Sequence, residues 1–158
     1  MQADQAGSEL ADLMTSRGVI AVLRAGNKRQ VLQELARRAA AITGIPEKRI
    51  YDALVERERL GTTGIGTGVA VPHCRLPELN RLYGMFARLE RPVPFEAIDD
   101  QPVDLVFLLL APADAGADHL KALARVSRLL RDKAMCEKLR GANSADALYA
   151  LLTGGAVG

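Results

Sequence analysis

Residues 61–75, GTTGIGTGVAVPHCR, are the stretch around which the chain is organised. Four glycines and three threonines lead into a short apolar run, residues 69–71, which stops at Pro72. The run has the length and character of a buried strand. Because His73 follows directly, we expect one of the chain's 2 histidines to meet solvent at the end of a strand, where a partner can reach it.

The composition is that of an ordinary soluble globular protein. The 158 residues fit one domain with a sizeable core, and 49% of them are apolar and 25% charged. Aromatic residues make up 4% and tryptophan is absent, so the core must be largely aliphatic. The net charge of +2 gives no electrostatic footprint for nucleic acid or an anionic membrane, and we expect neither as a partner.

The cysteines and the N-terminus predict a cytoplasmic protein. Two cysteines, Cys74 and Cys136, without an export signal suggest free thiols in a reducing compartment. The first ten residues, MQADQAGSEL, lack the basic and apolar regions of a secretory signal. The apolar run at residues 105–111 is far shorter than the ~20 residues of a membrane-spanning helix.

Helical and strand patterns alternate along the chain, which predicts an α/β fold. Apolar periodicity predicts helices between Asn27 and Gly44, between Pro46 and Gly61, at residues 119–130 and 134–139, and from Ser144 to Leu152. Strands are predicted at residues 19–23, 69–71, 82–89 and 103–111. We expect a single compact domain over residues 8–153, with a mixed central sheet, helices on both faces, and flexible tails at 1–7 and 154–158.

Three local predictions concern the surroundings of His73. Arg57 is expected in or near the last turn of its helix, beside the glycine-rich loop. His119 is expected in the first turn of a later helix, whose inward face should include Leu120. The polar segment 75–81 contains Pro77 and is predicted to be a loop.

The glycines also suggest a nucleotide-binding loop, but they fit neither common pattern. A Walker loop ends in Gly-Lys-Ser/Thr, which is missing, and the dinucleotide fingerprint needs a third glycine where Val71 stands. That fingerprint also follows a strand, whereas this loop follows a predicted helix. Close-packed turns that need positive φ angles are a simpler explanation of the glycines.

Other classes of site are matched equally poorly. His73 and Cys74 are adjacent, without further ligands at a recurrent metal-site spacing, and no serine lies in a nucleophile elbow. Cys74 as a nucleophile would need a base, but neighbours on an extended chain point to opposite sides, away from His73. We therefore expect no metal and no cofactor. Taken alone, His73 could also be a surface histidine without a function.

Residues 57–74, RERLGTTGIGTGVAVPHC, closely resemble the active-site signature of the type-2 IIA proteins of the bacterial sugar phosphotransferase system, which include fructose, mannitol and nitrogen-regulatory types. The family pattern is a glycine- and Ser/Thr-rich loop and an apolar run, then Ala, an aliphatic residue, Pro, His and a small residue. Cys74 stands where glycine is common. The resemblance continues through residues 95–105 to His119 and covers residues 8–152.

The resemblance implies that His73 accepts a phosphoryl group from a phosphohistidine on a small HPr-like carrier protein. It also implies that Arg57 stabilises charge, and that His119 hydrogen-bonds the phosphoryl group or orients His73. Neutral imidazole is a nucleophile at pH 7, and phosphoryl transfer needs mainly positioning and electrostatic stabilisation. We expect backbone N–H groups around His73 to supply further donors, and the loop threonines to be simple turn residues.

Three functions remain open. The free-standing chain and its residues 95–103 favour a nitrogen-regulatory phosphoprotein that acts on partner proteins. The alternative is a fructose- or mannitol-specific component that passes phosphate to a membrane permease. A non-catalytic binding module on the same fold is the third, since a fold does not determine a function.

Overall fold

The computed structural model describes residues 10–154 and has the predicted α/β architecture. In chain order its elements are β1 (Val19–Leu23), α1 (Lys28–Thr43), α2 (Glu47–Arg59), β2 (Gly64–Gly66), β3 (Val69–Ala70), β4 (His73–Leu76), β5 (Tyr83–Val93), β6 (Val103–Pro112), α3 (Ala117–Arg131), α4 (Lys133–Gly141) and α5 (Ala145–Thr153). The expected tails lie outside the described residues, except Gly154, which ends α5 with a φ of 65°. Within residues 10–154, no helix has the length and apolar character to cross a membrane.

The strands form one mixed sheet, as predicted. Its order is β1-β5-β6-β3-β2, and β4 pairs with β6 beyond the end of β3. β1 runs parallel to β5, and β3 and β4 run parallel to β6, while β5 and β6 are antiparallel. Among the described residues no further strand pairs with β4, so β4 forms the edge of the sheet at this end.

Strand β6 is the centre of the molecule and is buried on both faces, as its continuous apolar run predicts. Val106, Leu108 and Leu110 belong to the core beneath α1 and α2. Leu105, Phe107 and Leu109 belong to the core beneath α3, α4 and α5. The alternation follows from the two-residue repeat of a strand, and it confirms helices on both faces.

The helix boundaries follow from local chemistry. The Asn27 side chain accepts a hydrogen bond from the Gln30 N–H and caps α1, and Gly44 ends that helix with a φ of 80°. Ser144 caps α5 in the same way. Pro46 is the N-cap of α2.

Two predictions about strands were wrong. Residues 75–81 are not a loop throughout, because β4 continues to Leu76 and pairs its full length with β6. Pro72 and Pro77 made this short strand look like a break, although they lie outside it. β5 extends four residues beyond Leu89, and its ladder with β6 is irregular between Arg88 and Val93, which accommodates Pro92.

The glycine-rich loop is a tightly packed β2–β3 hairpin. Gly68 has a φ of 83°, and a Cβ there would lie 2.6 Å from Nη2 of Arg140. That arginine also binds the Asp104 carboxylate and the Thr67 carbonyl. Positive φ and close packing therefore explain Gly68, in agreement with the prediction of close-packed turns.

Candidate functional site

His73 is the first residue of β4 and lies opposite Leu109 in the parallel pairing with β6. His73 follows the short strand β3, as predicted, but it also begins a further strand, which was not predicted. Since β4 is an edge strand, helices from both layers reach the half-buried imidazole. Arg57 approaches from the last turn of α2, and His119 approaches from the first turn of α3, both as predicted.

The hydrogen bonds of His73 determine which ring nitrogen carries the proton. Nδ1 lies 2.8 Å from the carbonyl oxygen of Val71, which can only accept, so Nδ1 is the donor. Nε2 lies 3.2 Å from Nε of Arg57, which can only donate. His73 is thus a neutral imidazole with its proton on Nδ1 and its lone pair on Nε2.

Burial supports the neutral form of His73. It disfavours the charged ring and lowers the pKa of His73 from its ordinary 6.5, and the Arg57 guanidinium acts in the same direction. The hydrogen bond to the Val71 carbonyl raises the pKa of His73, but by less than burial lowers it. Nε2 of His73 is therefore unprotonated at neutral pH, and its lone pair accepts the hydrogen bond from Arg57.

Arg57 is held in place at both ends of its guanidinium group. Nε contacts His73, and Nη1 donates to the carbonyl oxygen of Gly61 at 3.0 Å. The cation therefore lies directly beside the unprotonated nitrogen of the imidazole. A forked donor in this position is suited to an anionic group on Nε2.

His119 is buried, with 5% of its surface exposed, and its ring centre lies 5.6 Å from that of His73 at an interplanar angle of 74°. Nε of Arg75 donates to Nδ1 of His119 at 3.0 Å, so the proton of the neutral ring is on Nε2. That Nε2 is buried and has no hydrogen-bond partner among the described residues. Burial, with smaller contributions from His73 and Arg75, lowers the pKa of His119 to about 4.

The two histidines share one cleft of about 540 Å³. Three arginines and one glutamate line it, together with apolar side chains at its edge. Of the arginines, Arg49 is paired with Glu78 at 2.9 Å. The cleft thus combines positive charge, an imidazole lone pair on His73 and an unpaired N–H on His119, a combination that suits a phosphoryl group.

The glycine-rich loop is anchored by a buried carboxylate. Glu58, whose side chain is 7% exposed, forms an ion pair with Lys28 at 2.6 Å. It also accepts hydrogen bonds from the hydroxyl and the N–H of Thr63. The Thr63 carbonyl in turn accepts the N–H of Val71, the residue that holds Nδ1 of His73. The loop therefore positions His73 through Val71, on the Nδ1 side of the ring.

For three N–H groups of the glycine-rich loop, the expectation that they are donors to an anion is wrong. The N–H groups of Thr63, Gly64 and Thr67 bind the side chains of Glu58, Thr62 and Asp99. Among the described residues that line the cleft, none comes from 62–68. The interpretation of the loop threonines as turn residues agrees with these contacts.

Two cleft residues were missed from the sequence. Arg75 was assigned to a loop, but in strand β4 it lies two residues from His73 and hence on the same face. The alternation of His73 and Arg75 with buried Cys74 and Leu76 was the signal that could have shown this. For Arg49 the sequence carries no comparable signal, because its contact with the cleft depends on how α2 packs.

Cys74 does not fit the role of a nucleophile. Its thiol is buried, and burial raises its pKa to about 12. A thiol in that state is not ionised at neutral pH and is inert. Within residues 10–154, no group of three or more His, Cys, Asp or Glu side chains is arranged to hold a metal ion.

Residues 12–154 match the family model described as phosphoenolpyruvate-dependent sugar phosphotransferase system, EIIA 2. The chain is 53% identical over 143 residues to the nitrogen regulatory protein of Bradyrhizobium diazoefficiens, covering 90% of this chain and 94% of the relative. It is 43% identical over 128 residues to the nitrogen regulatory protein of Escherichia coli, covering 80% and 78% of the two chains.

A solved structure shares both the fold and detectable sequence identity. The crystal structure of nitrogen regulatory protein IIA-Ntr from Neisseria meningitidis superposes with a TM-score of 0.87 at 31% identity. The match covers 92% of this chain and 100% of that structure. These similarities favour the nitrogen-regulatory type over the sugar-specific type.

Proposed function

This chain belongs to the EIIA 2 family of the phosphoenolpyruvate-dependent sugar phosphotransferase system, and on that premise we propose that it is a regulatory phosphoprotein of the nitrogen type whose acceptor is Nε2 of His73. The observation that carries the proposal is the tautomer of His73. Its Nδ1 proton is held by Val71, so the nucleophilic lone pair lies on Nε2, beside Arg57.

The transfer step needs no separate base. Nε2 of His73 attacks the phosphorus of a phosphohistidine on the donor, the new N–P bond forms, and the donor's N–P bond breaks. The donor ring, protonated on its other nitrogen, leaves as neutral imidazole. The His73 ring gains the corresponding positive charge, and its Nδ1–H remains bonded to the Val71 carbonyl, which binds a charged ring more strongly.

Two groups stabilise the transferred phosphoryl. Charge in such transition states spreads over three equatorial oxygens. Arg57 supplies a cation next to Nε2, and the unpaired Nε2–H of His119 supplies a neutral donor. A buried donor without a partner costs about 1–3 kcal/mol, and a phosphoryl oxygen would provide the acceptor that it lacks.

The edge of the cleft supports a donor that is itself a protein. Leu60 and Leu120 are 83% and 65% exposed and border the same cleft as His73. Leu120 was expected to face inward, and its exposure is a correction to that prediction. Exposed apolar side chains around a polar centre are typical of a protein-binding surface, which fits an HPr-like phosphocarrier.

Intact mass and ¹⁵N NMR test the acceptor directly. The full chain is incubated with phosphoenolpyruvate, enzyme I and the phosphocarrier, and acid-labile phosphate is measured. Because the chain contains 2 histidines, ¹⁵N-histidine labelling with His73→Ala and His119→Ala assigns both rings without ambiguity. We expect phosphate on wild type and on His119→Ala, bonded to Nε2 of His73, and none on His73→Ala.

Each other outcome identifies a different error. Phosphate on His73→Ala would place the acceptor elsewhere, and phosphate on Nδ1 would contradict the tautomer argument. Wild type that gains no phosphate would favour the non-catalytic binding module. To separate regulator from sugar carrier, phosphorylated protein is mixed with a fructose or mannitol permease domain, where efficient onward transfer would overturn the regulatory proposal.

A further inference from the structure

Arg75 lies in the cleft on the same face of β4 as His73, while Cys74 and Leu76 point into the core. Its side chain is exposed, but its Nε is directed at the buried ring of His119, 3.0 Å from Nδ1. The contact joins residues 44 positions apart in the chain. An exposed cation thus makes a specific contact with a buried neutral ring.

The contact has a chemical consequence for His119. Arginine has five N–H donors and no acceptor, and it stays charged at all accessible pH values. A nitrogen that accepts from Arg75 cannot carry a proton of its own, so the proton of the neutral ring of His119 must be on Nε2. No other hydrogen bond of the described residues fixes this choice, because Nε2 has no partner.

The choice of tautomer decides what His119 can do in the cleft. With the proton on Nε2, the ring presents a donor that can bind a phosphoryl oxygen. With the proton on Nδ1, the ring would present a lone pair, which repels an anion. Burial, with smaller contributions from the neighbouring His73 and Arg75, disfavours a second proton on the ring, so His119 stays neutral.

We propose that Arg75 is a positioning residue that holds His119 as the Nε2–H tautomer and thereby makes it a donor to the phosphoryl group on His73. The donor role of His119 rests on the function proposed above, whereas the tautomer itself does not depend on it. Two measurements therefore separate the two claims.

The first measurement is the tautomer of His119 in the unphosphorylated chain. Long-range ¹H–¹⁵N spectra of ¹⁵N-histidine-labelled protein distinguish a protonated Nε2 from a protonated Nδ1. We expect the Nε2–H form in wild type, a mixture or the Nδ1–H form in Arg75→Met, and the Nε2–H form again in Arg75→Lys, since lysine retains a donor. An unchanged spectrum in Arg75→Met would overturn the proposal, whether or not the chain is phosphorylated.

The second measurement is a double-mutant cycle on phosphoryl transfer, followed by rapid quench. Arg75→Met should slow transfer about tenfold, the value of one hydrogen bond, and Arg75→Lys should restore most of the rate. In the His119→Ala background, Arg75→Met should have no further effect, because the positioning residue has nothing left to position. A full tenfold loss in that background would show that Arg75 acts directly on the phosphoryl group or on the donor.

Arg91→Ala is the matched control. It removes the same charge from an exposed arginine of β5, close to the Val93–Val103 pair and hence at the opposite end of β6 from Leu109 and His73. We expect a wild-type spectrum and a wild-type rate. A tenfold loss in this control would mean that net charge, and not the contact with His119, explains the effect of Arg75→Met. If wild type accepts no phosphate, the proposed function fails, but the spectra still decide whether Arg75 sets the tautomer.

Discussion

The glycine-rich loop and the arginine-lined cleft use their polar groups in opposite ways. In the loop, the N–H groups of Thr63, Gly64 and Thr67 are bound by nearby side chains. In the cleft, His73 keeps a lone pair beside a cation, and His119 keeps a buried N–H without a partner. The glycine-rich loop is therefore a scaffold, while the candidate reactive groups lie at the ends of β4, α2 and α3.

If this division is correct, changes in the cleft should alter phosphoryl transfer more than stability, and changes in the loop should do the reverse. The largest effect is expected for Arg57→Ala. Loss of a cation next to the reacting nitrogen should slow transfer by about 10²–10³-fold, as for other preorganised donors to developing charge. Stopped-flow or rapid-quench transfer from the phosphorylated carrier measures the rate.

Arg59→Ala is the control for Arg57→Ala. It lies in the same last turn of α2, but its side chain is 71% exposed and contacts Glu56 at 3.8 Å, too far for a strong ion pair. Its removal should leave the transfer rate near that of wild type. Equal losses in the two variants would indicate a general effect of charge and would remove Arg57 from the site.

His119→Ala should slow transfer by about 10- to 100-fold, the range for a hydrogen bond to a charged group. His119→Gln keeps an N–H donor and should recover part of the rate. Urea unfolding of both variants, measured in parallel, corrects for the loss of a buried side chain. An unchanged rate in His119→Ala would leave the orphaned Nε2–H without a function.

Acid should destabilise the protein through buried His119. The pKa of His119 is about 4 in the fold, below its ordinary 6.5, so the unfolded chain binds the proton more readily. Stability should therefore fall as the pH is lowered from about 6.5 to about 4, by at most about 1.4 kcal/mol per pH unit for this group.

Urea unfolding at several pH values measures this slope. The carboxylates titrate in the same window, so the informative quantity is the difference between wild type and His119→Gln. The variant should have the shallower slope. Parallel curves for the two proteins would contradict the neutral, buried state of His119.

The smallest effect on transfer is expected from the loop. Gly68→Ala forces a φ of 83° on a residue with a Cβ that would lie 2.6 Å from Arg140, and should cost about 1–3 kcal/mol of stability. Gly44→Ala is the matched control, since its φ is 80° but no atom lies within 4 Å of the added Cβ. The loss of unfolding free energy in Gly68→Ala, minus the loss in Gly44→Ala, measures the cost of the close contacts around the added Cβ.

Both glycine variants should transfer phosphate at nearly the wild-type rate while folded. If Gly68→Ala instead lost transfer as strongly as Arg57→Ala, the loop would be part of the reactive site. The separation between scaffold and cleft would then be incorrect.

Much of the fold could be predicted because it depends on local signals. The cap at Asn27, the stop at Gly44 and the doubly buried run of β6 are each read from neighbouring residues. The prediction failed at β4, where prolines on both sides concealed a strand. A four-residue strand is stabilised by its partner, and that partner is more than thirty residues away in the chain.

The candidate site likewise divides into features that local sequence predicts and features that depend on contacts between distant residues. The amino-acid sequence alone predicted that His73 follows a glycine-rich loop, that Arg57 lies in the last turn of a helix, and that His119 lies in the first turn of another. The tertiary structure decided which nitrogen of the His119 ring carries the proton, and at His73 it added the Arg57 contact at Nε2 to a local bond between Nδ1 and the Val71 carbonyl. A tautomer is set by single hydrogen bonds, and those of His119 and of Nε2 of His73 come from arginines 44 and 16 residues away, whose contacts no local pattern encodes.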